Sequence, residues 1–205
     1  MWIWKEIQKM SRKIKRCKWC LSDPLYIKYH DKEWGVPVYN DNKLFEFLLL
    51  ETFQAGLNWL TILKKRENFR KAFNNFNYYK IANYSDKKLI LLSKDTGIIR
   101  NKLKIQAAKT NSRAFIKIQK EFGTFSEYIW EFVDGKPIQN NFSKLKAIPN
   151  NTPLSEKISV ELKKRNFTFV GPTIVYAYMQ SIGIVNDHTT NCFRNKQVYF
   201  STSNI

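Results

Sequence analysis

Cysteine and histidine are scarce in this chain, with three of the first and two of the second among 205 residues. A small, odd cysteine count excludes a disulfide framework and fits a reducing compartment. Acidic residues are also few, 17 against 35 Lys and Arg, which leaves a formal net charge of +18. No apolar run approaches the ~20 residues that cross a bilayer. The N-terminus has no apolar segment followed by small residues, so secretion is not expected. No stretch alternates apolar and polar residues long enough to demand a sheet. No internal repeat is visible.

Hydrophobic residues make up 43% of the chain, enough for the core of one compact domain. The positive excess, together with 15% aromatic residues, points to nucleic acid as the partner. The plainer alternative is a Lys- and Asn-rich, solvated surface. Residues 1–15 read as a basic N-terminal extension, a fraying tail rather than a targeting segment. The domain proper is placed at 16–195, with a polar C-terminal tail at 196–205.

From Cys17 onward the pattern is helical, and the fold class is all-α, built of many short helices. Asp41 is placed to cap a helix through Leu44, Phe47 and Leu48. Gln54 to Leu57 reads as a turn before a second apolar run from Trp59 to Leu63. Asp86 to Leu92 reads as a short amphipathic helix that ends near Gly97. Longer helices are expected over Arg100 to Ile118 and Leu154 to Lys164, the latter capped by Thr152 or Ser155. Phe125 to Phe132 reads as an aromatic helix and Asn140 to Pro153 as a loop. Pro172 opens a helix that runs to about Ser181.

The two histidines, His30 and His188, each have a cysteine at a useful spacing. Cys17 and Cys20 precede His30, and Cys192 follows His188 by one helical turn if that stretch is helical. Two thiolates and two neutral imidazoles make a closed tetrahedral zinc set, with no position left for water. Spacing alone leaves Cys17 and Cys20 both open as the ligand. It equally allows plain buried thiols and a Cys-x-x-Cys redox pair.

Glu51 is the only charged residue between Glu46 and Lys64, in an otherwise apolar stretch. A buried carboxylate needs either a cation or a ligand to meet, and the sequence does not choose. Trp19, Tyr26, Tyr29, Trp34 and Trp59 lie near it in sequence, as core or as walls for a flipped base. Phe169 to Thr173 forms a tight connection between two helices. Such a turn can point backbone N–H groups at a phosphate.

These pieces occur together in one family. Arg16-Cys17-Lys18-Trp19, Asp23-Pro24-Leu25-Tyr26, Tyr29-His30-Asp31 and Glu33-Trp34-Gly35-Val36-Pro37 closely resemble the start of the DNA-3-methyladenine glycosylase I family. The resemblance continues through Leu50-Glu51, Gln54-Ala55-Gly56-Leu57, Trp59 and Lys64-Lys65-Arg66-Glu67-Asn68. It runs on through Gly97-Ile98-Ile99-Arg100, Lys163-Lys164-Arg165, Phe169-Val170-Gly171 and Val185-Asn186-Asp187-His188, in the family's order up to Cys192.

The resemblance implies a helix-hairpin-helix glycosylase fold whose N- and C-terminal segments are joined by one structural zinc on Cys17, His30, His188 and Cys192. It implies a monofunctional enzyme that flips 3-methyladenine out of double-stranded DNA and releases it with water, without nicking the strand. Glu51 and Tyr29 should then bond the base, and Trp59 and Trp19 should enclose it, with Tyr26 and Trp34 alongside. The turn with Gln54, Gly56 and Leu57 should enter the DNA, while Gly171 and Thr173 meet phosphates. Asp187 is expected to orient His188, with a catalytic role, stabilising the sugar cation, as the lesser alternative. Asn166 stands where the family often has glycine; asparagine tolerates the left-handed backbone this requires. A monomer is expected, in the bacterial cytoplasm at the nucleoid, or in a nucleus or organelle if the source is eukaryotic, with no membrane partner.

Overall fold

The computed structural model describes residues 14–202. Most of the expected basic extension and the last three residues of the expected tail therefore lie outside the described residues. The described helices are α1 (Pro24–Lys32), α2 (Asp41–Gln54), α3 (Trp59–Ala72), α4 (Tyr78–Ala82), α5 (Asp86–Lys94), α6 (Lys102–Phe122), α7 (Phe125–Glu131), α8 (Pro153–Lys164), α9 (Pro172–Ser181) and α10 (Phe193–Thr202). Short 3-10 segments occupy Lys18–Ser22, Asn74–Phe76 and Leu145–Ala147. The helix α10 runs across the boundary expected at 195, and Val198 on it is buried.

Local sequence sets most helix starts. Asn40, Asn58, Asn77, Ser85 and Asn101 each accept a backbone N–H from the first turn that follows. Thr152 with Ser155, and Thr124 with Glu127, form reciprocal capping boxes. Asp41 does not cap its own helix as expected, because Asn40 takes that place. Its carboxylate reaches across to Phe125 N and Ser126 N, at 2.9 Å each, and caps α7 instead. The helix α5 ends at Lys94, and Gly97 lies beyond it in a turn whose N–H goes to Asp95.

The helix α2 is the centre of the core. Every residue from Leu44 to Phe53 on it is buried, since α3, α6, α7 and α9 pack around it. The Tyr178 hydroxyl of α9 donates to Leu44 O at 3.0 Å. The longest helix, α6, presents Ile105, Ala108, Ala114, Phe115 and Ile118 to this core. Its buried Asn111 holds the α8–α9 connection through Thr168 N, at 2.8 Å, and Thr168 O, at 3.0 Å. That connection turns on positive φ at Asn166 and Phe169, 67° and 58°.

The expectation of no sheet needs one small correction. Ile138–Gln139 (β1) pairs in parallel with Val185–Asn186 (β2), as Ile138 with Val185 and Gln139 with Asn186. Two residues per strand carry no alternation that a sequence could reveal. The pair matters because it sets the loop after Gln139 beside the chain leading to His188.

Gly183 fixes the approach of this C-terminal segment to the N-terminal one. Its φ is +74°, and a Cβ there would collide with the Val36 carbonyl carbon and Pro37 N. Gly183→Ala is expected to destabilise the fold by about 3 kcal/mol, as overpacking against backbone adds to left-handed strain. Thermal melting of the variant checks this.

Candidate functional site: an aromatic cavity above a cysteine–histidine cluster

The segment from Cys17 to Trp59 builds most of one cavity of about 210 Å³. Trp19 comes from the first 3-10 segment, Tyr26 and Tyr29 from α1, Trp34 from the turn after it, and Trp59 from the start of α3. All five aromatics expected around a base line this cavity, together with Glu51 and Gln54 of α2. Their rings meet edge-on or tilted: Trp19 with Tyr26 at 4.9 Å, Trp19 with Trp34 at 5.0 Å, and Tyr29 with Trp59 at 5.4 Å between centroids. Leu145, Ile148, Ala177 and Gln180 complete the walls. These four were missed by sequence reasoning. Leu145 and Ile148 lie in a polar loop with no pattern. Only the helical spacing of Ala177 and Gln180, one turn apart on α9, could have linked them.

Two buried glutamates on α2 have opposite environments. Glu46 meets Arg66 at 2.7 Å, Arg70 at 2.9 Å and Lys43 at 3.1 Å. Burial pushes its pKa up, but these cations outweigh that and hold it below the usual carboxylate range. Among the described residues Glu51 has no such cation, and its Oε2 has no hydrogen-bond partner. Burial pushes its pKa up to about 8, opposed only by the Ser181 side chain. The salt-bridge explanation left open by the sequence is thereby removed. Two further cavity atoms, Gln54 Oε1 and Trp59 Nε1, are also buried without partners. Polar groups bare of protein partners converge on one apolar-walled space, which is what a ligand with a polar edge requires.

The Gln54–Leu57 turn lies at the cavity's side. Leu57 is 41% exposed, and Gly56 has φ +77° with open space where a Cβ would stand. Lys104, buried on α6, holds the end of α2 in place by donating to Phe53 O at 2.8 Å and Ala55 O at 2.5 Å. Gly171 precedes α9 as its cap, with no atom within 4 Å of a Cβ position, and Thr173 lies in the helix's first turn. Neither lines the cavity.

Below the aromatic walls, Cys17, His30, His188 and Cys192 come together, all buried, with their ligand atoms within 4.8 Å of one another. The separations are 3.2 Å for His30 Nε2 to His188 Nδ1, 3.4 Å for Cys192 Sγ to His30 Nε2, 3.5 Å for Cys192 Sγ to His188 Nδ1, and 3.7 Å for Cys17 Sγ to His188 Nδ1. A tetrahedral zinc with Zn–S of about 2.3 Å and Zn–N of about 2.0 Å sets neighbouring donors about 3.3–3.8 Å apart. The set therefore fits a four-coordinate metal ion of that size. The outer nitrogens are already engaged: His30 Nδ1 with Asp31 Oδ1 at 2.8 Å and His188 Nε2 with Trp34 O at 3.0 Å. That leaves the inner nitrogens as acceptors, which is what ligation needs. Burial also lowers the His188 pKa, favouring the neutral ring.

Cys17 is in the cluster, as the resemblance implies, while Cys20 Sγ turns to Cys17 O at 3.1 Å. Two expectations are corrected here. His188 and Cys192 are brought together by a tight turn, Cys192 N to Thr189 O at 2.7 Å, and not by a helix. Asp187 does not orient His188, because the Trp34 carbonyl does. A carboxylate next in sequence to a ring points away from it when the chain is extended.

The Glu51 environment gives a stability test. Between pH about 4.5 and about 8 the folded chain keeps a proton that the unfolded chain has released, so stability falls as pH rises through that window. Glu51→Gln removes this dependence. Its melting temperature should exceed that of the parent by a margin that widens from pH 5 to pH 8.5. A margin independent of pH would show that Glu51 is not desolvated.

A sequence profile described as methyladenine glycosylase matches residues 19–195. DNA-3-methyladenine glycosylase 1 of Escherichia coli K12 is 46% identical over 179 residues, covering 87% of this chain and 96% of the relative. DNA-3-methyladenine glycosylase of Haemophilus influenzae is 44% identical over 177 residues, covering 86% and 96%. A crystal structure of 3-methyladenine DNA glycosylase I superposes with a TM-score of 0.85 at 48% identity, covering 87% of this chain and 98% of that one. The Staphylococcus aureus enzyme, whose structure is described as the basis of its 3-methyladenine recognition, superposes with a TM-score of 0.85 at 32% identity, covering 88% and 96%. Such likeness runs through most of the chain, so this protein belongs to the methyladenine glycosylase family.

Proposed function

We propose that this protein is a base-excision repair glycosylase that hydrolyses the N-glycosidic bond of 3-methyladenine in alkylated double-stranded DNA. One observation carries the reading: Glu51, a buried carboxyl with no cation, opens onto a cavity walled by five aromatic rings. A planar, positively charged heterocycle answers both features. Its charge relieves the lone carboxylate, and its faces meet the rings by stacking and cation–π attraction.

The chemistry asks little more. 3-Methyladenine in DNA is cationic, which weakens its bond to the sugar. Burial penalises Glu51 as a carboxylate while the cavity is free of base; the cationic base restores the ionised form, and low polarity then strengthens the pairing. Tyr29 and Tyr26 sit in the field of Glu51, which along with burial raises their pKa values and keeps them as neutral donors. Extracting the base costs a few kcal/mol. Leu57, exposed on its turn, is suited to fill the vacated stack, with Gln54 and Gly56 shaping the turn. The α8–α9 unit acts as a helix-hairpin-helix in which Gly171 and Thr173 meet phosphates. Water is the nucleophile, and the enzyme is monofunctional. Among the described residues no lysine lines the cavity, which supports this.

The four-donor cluster is assigned to one structural zinc per chain. When bound, it supplies a cross-link between the N- and C-terminal segments, and four protein donors close the coordination shell. One chain provides the lining residues of the cavity and all four donors, which suits a monomer. No helix among the described residues is long and apolar enough to cross a membrane. The bacterial relatives favour the bacterial cytoplasm over a nucleus or organelle.

Two experiments test the reading. Free 3-methyladenine should be released from methylated duplex DNA by the natural protein, and at least about a hundredfold more slowly by Glu51→Gln, since a buried charge contact to the base is removed. Release by neither, with DNA binding intact, would leave a non-enzymatic DNA-binding module. Metal analysis should find about one zinc per chain. Changing His30 and Cys192 together to alanine should remove the zinc and lower the melting temperature. An unchanged metal content would overturn the zinc assignment.

A further inference from the structure

Gln180 lines the cavity with Glu51, and its amide is not free to turn. Its Nε2 donates to Asp187 Oδ2 at 2.7 Å. Asp187 is wholly buried and accepts two more bonds, from the Tyr176 hydroxyl at 2.6 Å and from Asn140 Nδ2 at 2.6 Å. A carboxylate only accepts. Reversing the Gln180 amide would set oxygen against oxygen, so its Oε1 is held as the outward end. Among the described residues, no donor bonds that Oε1.

Glu51, ionised once the cationic base is bound, also accepts. Gln54 has an unpartnered Oε1 and, among the described residues, nothing that fixes its amide, so it can present either a donor or an acceptor to a base. The Gln180 Oε1 is held as an acceptor by the bond from its own Nε2 to Asp187.

We propose that Gln180, fixed by Asp187, is a specificity-determining acceptor that helps select an alkylated adenine over an alkylated guanine. The inference rests on the glycosylase reading above. At the same ring position adenine carries an amino donor and guanine a carbonyl oxygen. A fixed acceptor bonds the first and faces the second lone pair to lone pair. Sites built to bond one polar group reject the wrong partner strongly, because a buried polar group is then left unpaired. Asp187 is a positioning residue in this scheme. Through Asn140 it also anchors the start of the loop that brings Leu145 and Ile148 to the cavity wall.

The test measures release of 3-methyladenine and 3-methylguanine from the same dimethyl-sulfate-treated duplex, by chromatography, with melting temperature and zinc content as controls on folding. Gln180→Met keeps the side-chain length and removes the acceptor. It should lower kcat/KM for 3-methyladenine about tenfold, the scale of one lost hydrogen bond, and leave 3-methylguanine within about twofold. Asp187→Asn supplies a side-chain donor, which lets the Gln180 amide reverse; the ratio of the two bases should then move toward guanine. A merely structural role would slow both lesions by one factor, and an unchanged ratio in both variants overturns the proposal while leaving the glycosylase reading intact. Failure of the natural protein to release any base overturns both.

Discussion

The convergence of the two chain ends on one buried cluster is the constraint on which the site depends. Cys17 and His30 meet His188 and Cys192 beneath Trp19 and Trp34. His30 stacks on Trp34, with centroids 6.2 Å apart, and the Trp34 carbonyl orients His188. The donor set therefore packs behind Trp19 and Trp34, two of the cavity's walls. Phe193 N bonds Lys15 O at 2.9 Å beside it, so the backbone closes the same junction. Gly183 permits the approach by leaving room for Val36. Without this junction the aromatic walls from the first sixty residues would not face the α9 residues that complete them.

A second constraint is the contrast between the two buried acids of α2. Glu46 is held by three cations and acts as structure. Glu51, little more than one turn on, has none, and it destabilises the fold wherever it is ionised. A protein retains such a group only where something other than stability is gained. The cavity, the unpartnered Trp59 N–H and the unpartnered Gln54 carbonyl all lie in the same place. Their common explanation is a ligand that is charged, flat and polar at one edge.

Asp187 illustrates how far adjacency in sequence misleads. Its neighbour His188 is a donor in the cluster, and an orienting role was the natural expectation. The side chain instead faces α9, where Tyr176 and Gln180 lie one helical turn apart and bond the same oxygen. Through Gln180 it touches the cavity wall and not the cluster.

The sequence by itself determined the local events: the helices α2, α8 and α9, most of their caps, the left-handed turn at Asn166, and the chemical identity of the four donors and the five rings. These follow from propensity, capping and composition within a few residues. Tertiary structure decided which partners those residues meet. It chose Cys17 over Cys20, sent Asp41 to the start of α7, left Glu51 without a cation, and brought Leu145, Ile148 and Gln180 into the cavity wall. Each of these depends on contacts between segments far apart in the chain. No periodicity within one segment encodes them, because the energy that selects them is the burial and pairing of groups that meet only after folding.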